Sequence, residues 1–197
     1  MFAMLCAQRV SVIGERLASS EEVRRVVGSA LEVGWSGLGV SVSDGGEEIG
    51  RAIANLDALF ELSAGNFGRY HGYLDDVIAS VAYALEVVAQ KDVASAVNAA
   101  DRVREIYFQV AKEIWPRSSV SVILASPIVR AEVDRQARDS NDLCLAADED
   151  LPHLGVNMRQ RASEEGRDLV NLIMGCPVVS FLNDSKQRSG YGQQPLF

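Results

Sequence analysis

The 197-residue sequence predicts an all-α fold: a single compact bundle of about seven helices over residues 1–174, followed by a mostly disordered tail over 175–197. Three observations predict it. Apolar residues recur at three- and four-residue steps along most of the chain, the spacing that lines one face of a helix. Helix-start signatures, Ser19 with Glu22 and Asp44 with Glu47, stand ahead of apolar runs. Alternation of strand type is confined to SSVSVILAS, which has no partner strand and reads as a packed connection.

In chain order, Phe2, Leu5, Cys6, Val10, Ile13 and Leu17 define a first helix that starts almost at Met1. The capping pair Ser19/Glu22 opens a second, from about Ser20 to Val33 or somewhat beyond, and the glycine-rich GWSGLGVSVSDGG ends it. A third helix turns Ile49, Ile53, Leu56, Leu59 and Phe60 inward before SAGNFGRYHG breaks the pattern. The fourth starts near Gly72 and carries the broad stripe Leu74, Val77, Ile78, Val81, Leu85 and Val88. Asp92 is the expected N-cap of a fifth helix holding Val93, Val97, Ala100, Val103, Ile106, Tyr107 and Val110. Helices four and five are expected to pair as an antiparallel hairpin at the centre of the bundle, their alanines allowing close approach. Ser126-Pro127 opens a sixth helix to about Ala147, because proline is tolerated where its missing N–H would be unpaired anyway. Pro152 opens the last, weakened at Gly166. Beyond Gly175 the composition turns to Gly, Ser, Gln, Asn and Lys, that of a mobile tail.

Composition narrows the function classes. No apolar run approaches the roughly 20 residues a membrane span needs, and MFAMLCAQRV lacks the basic flank of a signal peptide, so the expected compartment is the cytoplasm. Cys6, Cys144 and Cys176 are odd in number and far apart, which points to reduced thiols. A formal charge of -8 repels phosphate backbones and argues against nucleic acid, while suiting a basic protein partner.

The stretch RYHGYLDDVIASVAY holds the residue types of acid/base chemistry. Placed in the first turn of helix four, Asp75 and Asp76 would be favoured by the exposed amides there. Helical spacing puts Asp76 nearly opposite the apolar stripe and Asp75 at its flank, so the two do not form a facing dyad. What remains is a groove beside the helix start lined by Tyr70, His71 and Asp75. Trp35 and Trp115, both near helix ends, are core anchors with partner contact as the other reading. No Cys/His pair has metal-ligand spacing and no Glu-x-x-His occurs, so no metal and no cofactor is expected. No nucleophile motif or phosphate loop is present, and no catalytic residue is assigned. Arg130, Arg135, Arg138, Arg159, Arg161 and Arg167 alternate with acids and read as solvated ion-pair faces, all charges pointing outward from apolar seams.

The order LCAQRV, LEVGWSGL, YLDDVIASVAYAL, the acid-and-glutamine helix RAEVDRQARDSNDL and MRQRASEEGRDLV resembles the YjaG-like family of bacterial domains of unknown function over roughly residues 1–173. Arg9, Trp35, Asp75 or Asp76, Ala84 and Glu132 carry the resemblance, which departs where VSVIG follows Arg9 in place of a proline and a tyrosine. It implies a compact, all-helical cytoplasmic bacterial domain and brings no activity. It also implies a start upstream of Met1, with the first helix incomplete and its apolar face partly uncovered.

The expected function is a non-catalytic, acidic, helical protein-binding module, in one form an immunity or antitoxin-like protein that covers a basic enzyme. The alternatives are a carboxylate-dependent hydrolase or metal-assisted enzyme using Asp75 and the Asp148–Asp150 cluster, and a homo-oligomer packed through Trp35, Trp115 or helix one.

Overall fold

A computed structural model describes residues 1–38, 42–63, 70–147 and 150–175. Among them are eight helices and no strand: α1 (Phe2–Leu17), α2 (Glu21–Gly37), α3 (Val42–Ser63), α4 (His71–Gln90), α5 (Val93–Ile114), α6 (Val120–Leu124), α7 (Pro127–Leu145) and α8 (Leu151–Gly175). The all-α bundle holds, with the SSVSVILAS connection supplying one short extra helix, α6. The expected tail, apart from Gly175, lies outside the described residues, as do Asp148 and Glu149. No described helix is long and apolar enough to cross a membrane.

The helix termini follow local chemistry. Asp92 caps α5, its carboxylate accepting from the amides of Ala94 (3.1 Å) and Ser95 (2.9 Å), which satisfies donors that the first turn leaves open. Ser126 caps α7 through the Val129 amide, with Pro127 in the first turn. Two expected caps differ. The N-cap of α2 is Ser20, without a side-chain bond, and Asp44 falls inside α3. Lys91, at φ 54°, turns the chain between α4 and α5.

The centre of the bundle is shared: α4 and α5 form the most extensive helix pair, as expected, and α1 lies against both. Helix α1 packs against α2, α4, α5, α7 and α8, and residues 3–7 and 9–14 are buried. The partly uncovered face expected of this helix is therefore covered. The reason is compositional: Ala3, Ala7, Ser11 and Gly14 are small enough for neighbours to close on every side. The hairpin forms as expected, with Ala84 and Ala99 fully buried and the Ser80 hydroxyl donating to the Ala99 carbonyl at 3.2 Å.

Gly166 sits where α8 crosses α1. A Cβ there would lie 2.1 Å from the Arg9 carbonyl oxygen and 2.8 Å from Val12 Cγ2. The glycine that weakens α8 by propensity is thus what permits the crossing. By contrast, a Cβ on Gly28 of α2 would meet nothing within 4 Å. Gly166→Ala is expected to destabilise by roughly 2 kcal/mol or more, because a backbone oxygen cannot move aside as a side chain can. Gly28→Ala is expected to stabilise by about 0.5–1 kcal/mol. Urea unfolding of the pair, measured side by side, checks both signs.

Candidate functional site

Two clusters of charge stand apart from the apolar core. The first surrounds Arg9 in the middle of α1, whose side chain is fully buried. Its Nη1 donates to Glu132 Oε1 at 2.8 Å and its Nε to Glu165 Oε2 at 2.9 Å. Nη2 donates to Asp139 Oδ2. Around this shell, Gln136 Nε2 donates to Glu132 Oε1 at 3.0 Å and to the Ala100 carbonyl at 3.0 Å. Arg138 bridges Asp139 and Glu165 at 3.0 and 2.7 Å. Arg161 bridges Asp139 and Asp142 at 2.9 and 2.8 Å, and Arg135 lies over the Tyr107 ring.

Charged side chains therefore do gather inside the protein, against the expectation that all point outward. Of the six arginines read as solvated faces, Arg135, Arg138 and Arg161 turn onto the buried carboxylates, while Arg130 and Arg167 stay exposed. The physical reason lies in α7. Its buried residues are Val129, Glu132 and Asp139, so the face it turns inward is polar and needs charged partners. Chemically, the guanidinium fills the space among the three acids, and no group of three or more acids, histidines or cysteines able to hold a metal occurs among the described residues.

Burial raises two groups here, Glu132 and the neighbouring Cys6. Loss of solvent pushes Glu132 up to about 7 despite the pull of Arg9, and its Oε2 has no hydrogen-bond partner. The same cause, with Arg9 opposing it, raises the Cys6 thiol to about 12, so it stays protonated at neutral pH and is a poor nucleophile.

The second cluster lies along α4 and α5, at Asp76. The chain enters α4 at His71, so Asp75 and Asp76 fall beyond the first turn and the amide ends do not account for them. Nor does Asp76 face solvent opposite the stripe. It is 6% exposed, because α4 is covered by α1, α2, α3 and α5 together and the width of its buried face exceeds a single stripe. Asp76 Oδ1 accepts from Arg102 Nη1 at 3.2 Å, and Oδ2 from Gln109 Nε2 at 3.0 Å. Burial, opposed by Arg102, raises Asp76 to about 6.

Asp76, Tyr83 and Arg102 line two adjoining clefts. One, of about 520 Å³, runs along α5 past Asp101, Arg104 and Glu105. The other, of about 310 Å³, opens toward α3 past Asp57, Phe60, Asp75 and Glu86. Six carboxylates (Asp57, Asp75, Asp76, Glu86, Asp101, Glu105) thus face two guanidiniums (Arg102, Arg104) in one trough.

The residues expected to bind fall as follows. Asp75 lines the trough. Tyr70 is half-buried against the core, and the side chain of His71 lies outside the described residues. Trp35 sits at the α1–α2–α8 corner, where its Nε1 donates to Gln8 Oε1 at 2.8 Å. Trp115 closes α5 at 39% exposure. Asp76, set aside by helical spacing, is the buried carboxyl at the trough's centre. No family model, curated protein or solved structure matches the chain.

Two outcomes follow from these clusters. Arg9→Leu strands three carboxylates and is expected to cost about 3–5 kcal/mol, read by denaturant unfolding. Glu132 and Asp76 both titrate higher folded than unfolded. Their contribution to stability is full below about pH 4 and is lost as pH rises through about 6 and then about 7. Thermal midpoints should therefore decline as pH rises from about 4 to about 7, and Glu132→Gln should flatten the upper part of that decline.

Proposed function

We propose that this chain is a non-catalytic, acidic, helical binding module of the cytoplasm whose α3–α4–α5 trough docks a basic segment of another protein. In its most concrete form it acts as an immunity or antitoxin-like protein does, covering the cationic active site of an enzyme. The observation that carries this is the trough itself, in which six carboxylates outnumber two guanidiniums around the buried Asp76. Such a surface steers a cationic partner and raises its association rate, most strongly at low ionic strength. Arg102 holds Asp76 at 3.2 Å with a half-exposed side chain, so an incoming guanidinium or ammonium can take its place at little cost in the free protein.

A second reading, a homo-oligomer, is favoured by one specific feature. Trp115, Val120, Val122 and Leu124 are 39, 62, 57 and 49% exposed along the connection from α5 through α6, and Val120 and Leu124 share a helical face.

Immobilised full-length chain is expected to capture a basic protein stoichiometrically from bacterial lysate at low salt. The triple variant Asp57→Lys, Asp101→Lys, Glu105→Lys, on exposed positions, should lose that capture while keeping its helical spectrum. Equal capture by the variant defeats the proposal, and retained iron, manganese or zinc in the purified protein would favour a metal-assisted enzyme instead. Light scattering that gives a dimer mass, abolished by Val120→Lys, would establish the second reading.

A further inference from the structure

A cavity of about 630 Å³ lies where α2 ends and α8 begins, against the start of α1. Its wall is mostly hydrocarbon and indole, from Met1, Trp35, Leu38, Leu151 and Val156, and Arg159 is the one charged side chain lining it among the described residues. In a chain of net charge -8 this is unusual. The clefts around Asp76, Glu48 and Glu113 all carry carboxylates.

The charged corner is built by three helices. Gln8 Oε1 accepts from both Trp35 Nε1 at 2.8 Å and Arg159 Nε at 3.2 Å, which fixes indole and guanidinium together. The Arg159 carbon lies 5.3 Å from the Trp35 ring centroid, a stacking that further holds the guanidinium plane. Nη2 of Arg159 bonds Glu32, whose side chain is 66% exposed, so that pair contributes little. The two N–H groups of Nη1 have no hydrogen-bond partner among the described residues. A mid-sized, largely apolar cavity with one oriented cationic donor has the make-up of a small-molecule site.

We propose that this cavity binds an anionic amphiphile: an apolar body against Trp35, Leu38 and Val156, with a carboxylate on the free Arg159 donors. The charge of the ligand follows from the site. A neutral apolar molecule would leave the Nη1 donors unused, and a cation would meet a guanidinium whose one carboxylate partner among the described residues, Glu32, is engaged by Nη2 and is not part of the wall. This site is separate from the acidic trough and does not rest on its function.

The chain has two tryptophans, so Trp115→Phe leaves Trp35 as sole reporter. In that background, decanoate below its micelle-forming concentration is expected to change Trp35 emission saturably, more tightly than decanol, with decyltrimethylammonium giving no saturable change. Adding Arg159→Met should weaken decanoate about tenfold or more, the scale of a charge-assisted hydrogen bond, and leave decanol unaltered. Arg159→Lys should recover part of the loss, and Glu32→Gln should tighten decanoate by freeing the guanidinium further. An Arg159→Met variant that folds, as judged by its thermal midpoint, and binds decanoate as before would overturn the proposal. So would the absence of any saturable response to decanoate in the Trp115→Phe protein.

Discussion

The burial of one guanidinium organises this protein. Removing Arg9 from water is costly by several kcal/mol, and the cost is offset only if every donor finds an acceptor in good geometry. Glu132 and Asp139 from α7 and Glu165 from α8 supply them, so two helices are tied to a single residue at the middle of a third. The arrangement is directional in a way apolar packing is not. Turning α7 by one residue rotates its side chains by about 100 degrees and carries both carboxylates off the guanidinium. Register, which Val129 with the partly buried Ile128 and Leu143 alone would define weakly, is set by charge.

The cluster also shapes the outer surface. Arg9, Arg135, Arg138 and Arg161 are matched by Glu132, Asp139, Asp142 and Glu165, so the chain's negative charge is borne by the other elements, the trough between α3 and α5 included. The arginines that would have softened the protein's acidity are used up holding its frame. Arg159, drawn to Gln8 and Trp35, instead sets a positive group against an apolar hollow.

How much of this was legible depends on which residues carried the pattern. Helices with apolar stripes, such as α4 and α5, and side-chain caps, such as Asp92 and Ser126, could be read because one-dimensional spacing determines them. The interior of α7 was written in other letters: Glu132, Gln136 and Asp139 stand four and three residues apart, the step of a core face, but in polar residues that the usual rule assigns to solvent. That step was the available signal, together with the run from Asp134 to Asp142 in which Ala137 is the one apolar residue. Asp76 failed for a different reason. Its burial is a property of four helices meeting on α4, and no single-helix projection contains it. The corner of Gln8, Trp35 and Arg159 likewise joins residues distant in sequence, so the tryptophan could be singled out but not its surroundings.

The meeting of α1 with α8 through Gly166 has a consequence for how the chain acquires its structure. The Arg9 to Glu165 bond spans 156 positions, and α1 leaves the ribosome long before α8 does. During synthesis, which runs at about 5–20 residues per second, the innermost helix has its flanks on α2, α4 and α5 available early but waits for α7 and α8 to close the remaining side. Until then an uncompensated guanidinium sits on an apolar surface open to water. Closure by the late-made helices is both the completion of the core and the neutralisation of its charge, which makes the final stage of assembly a single, cooperative step.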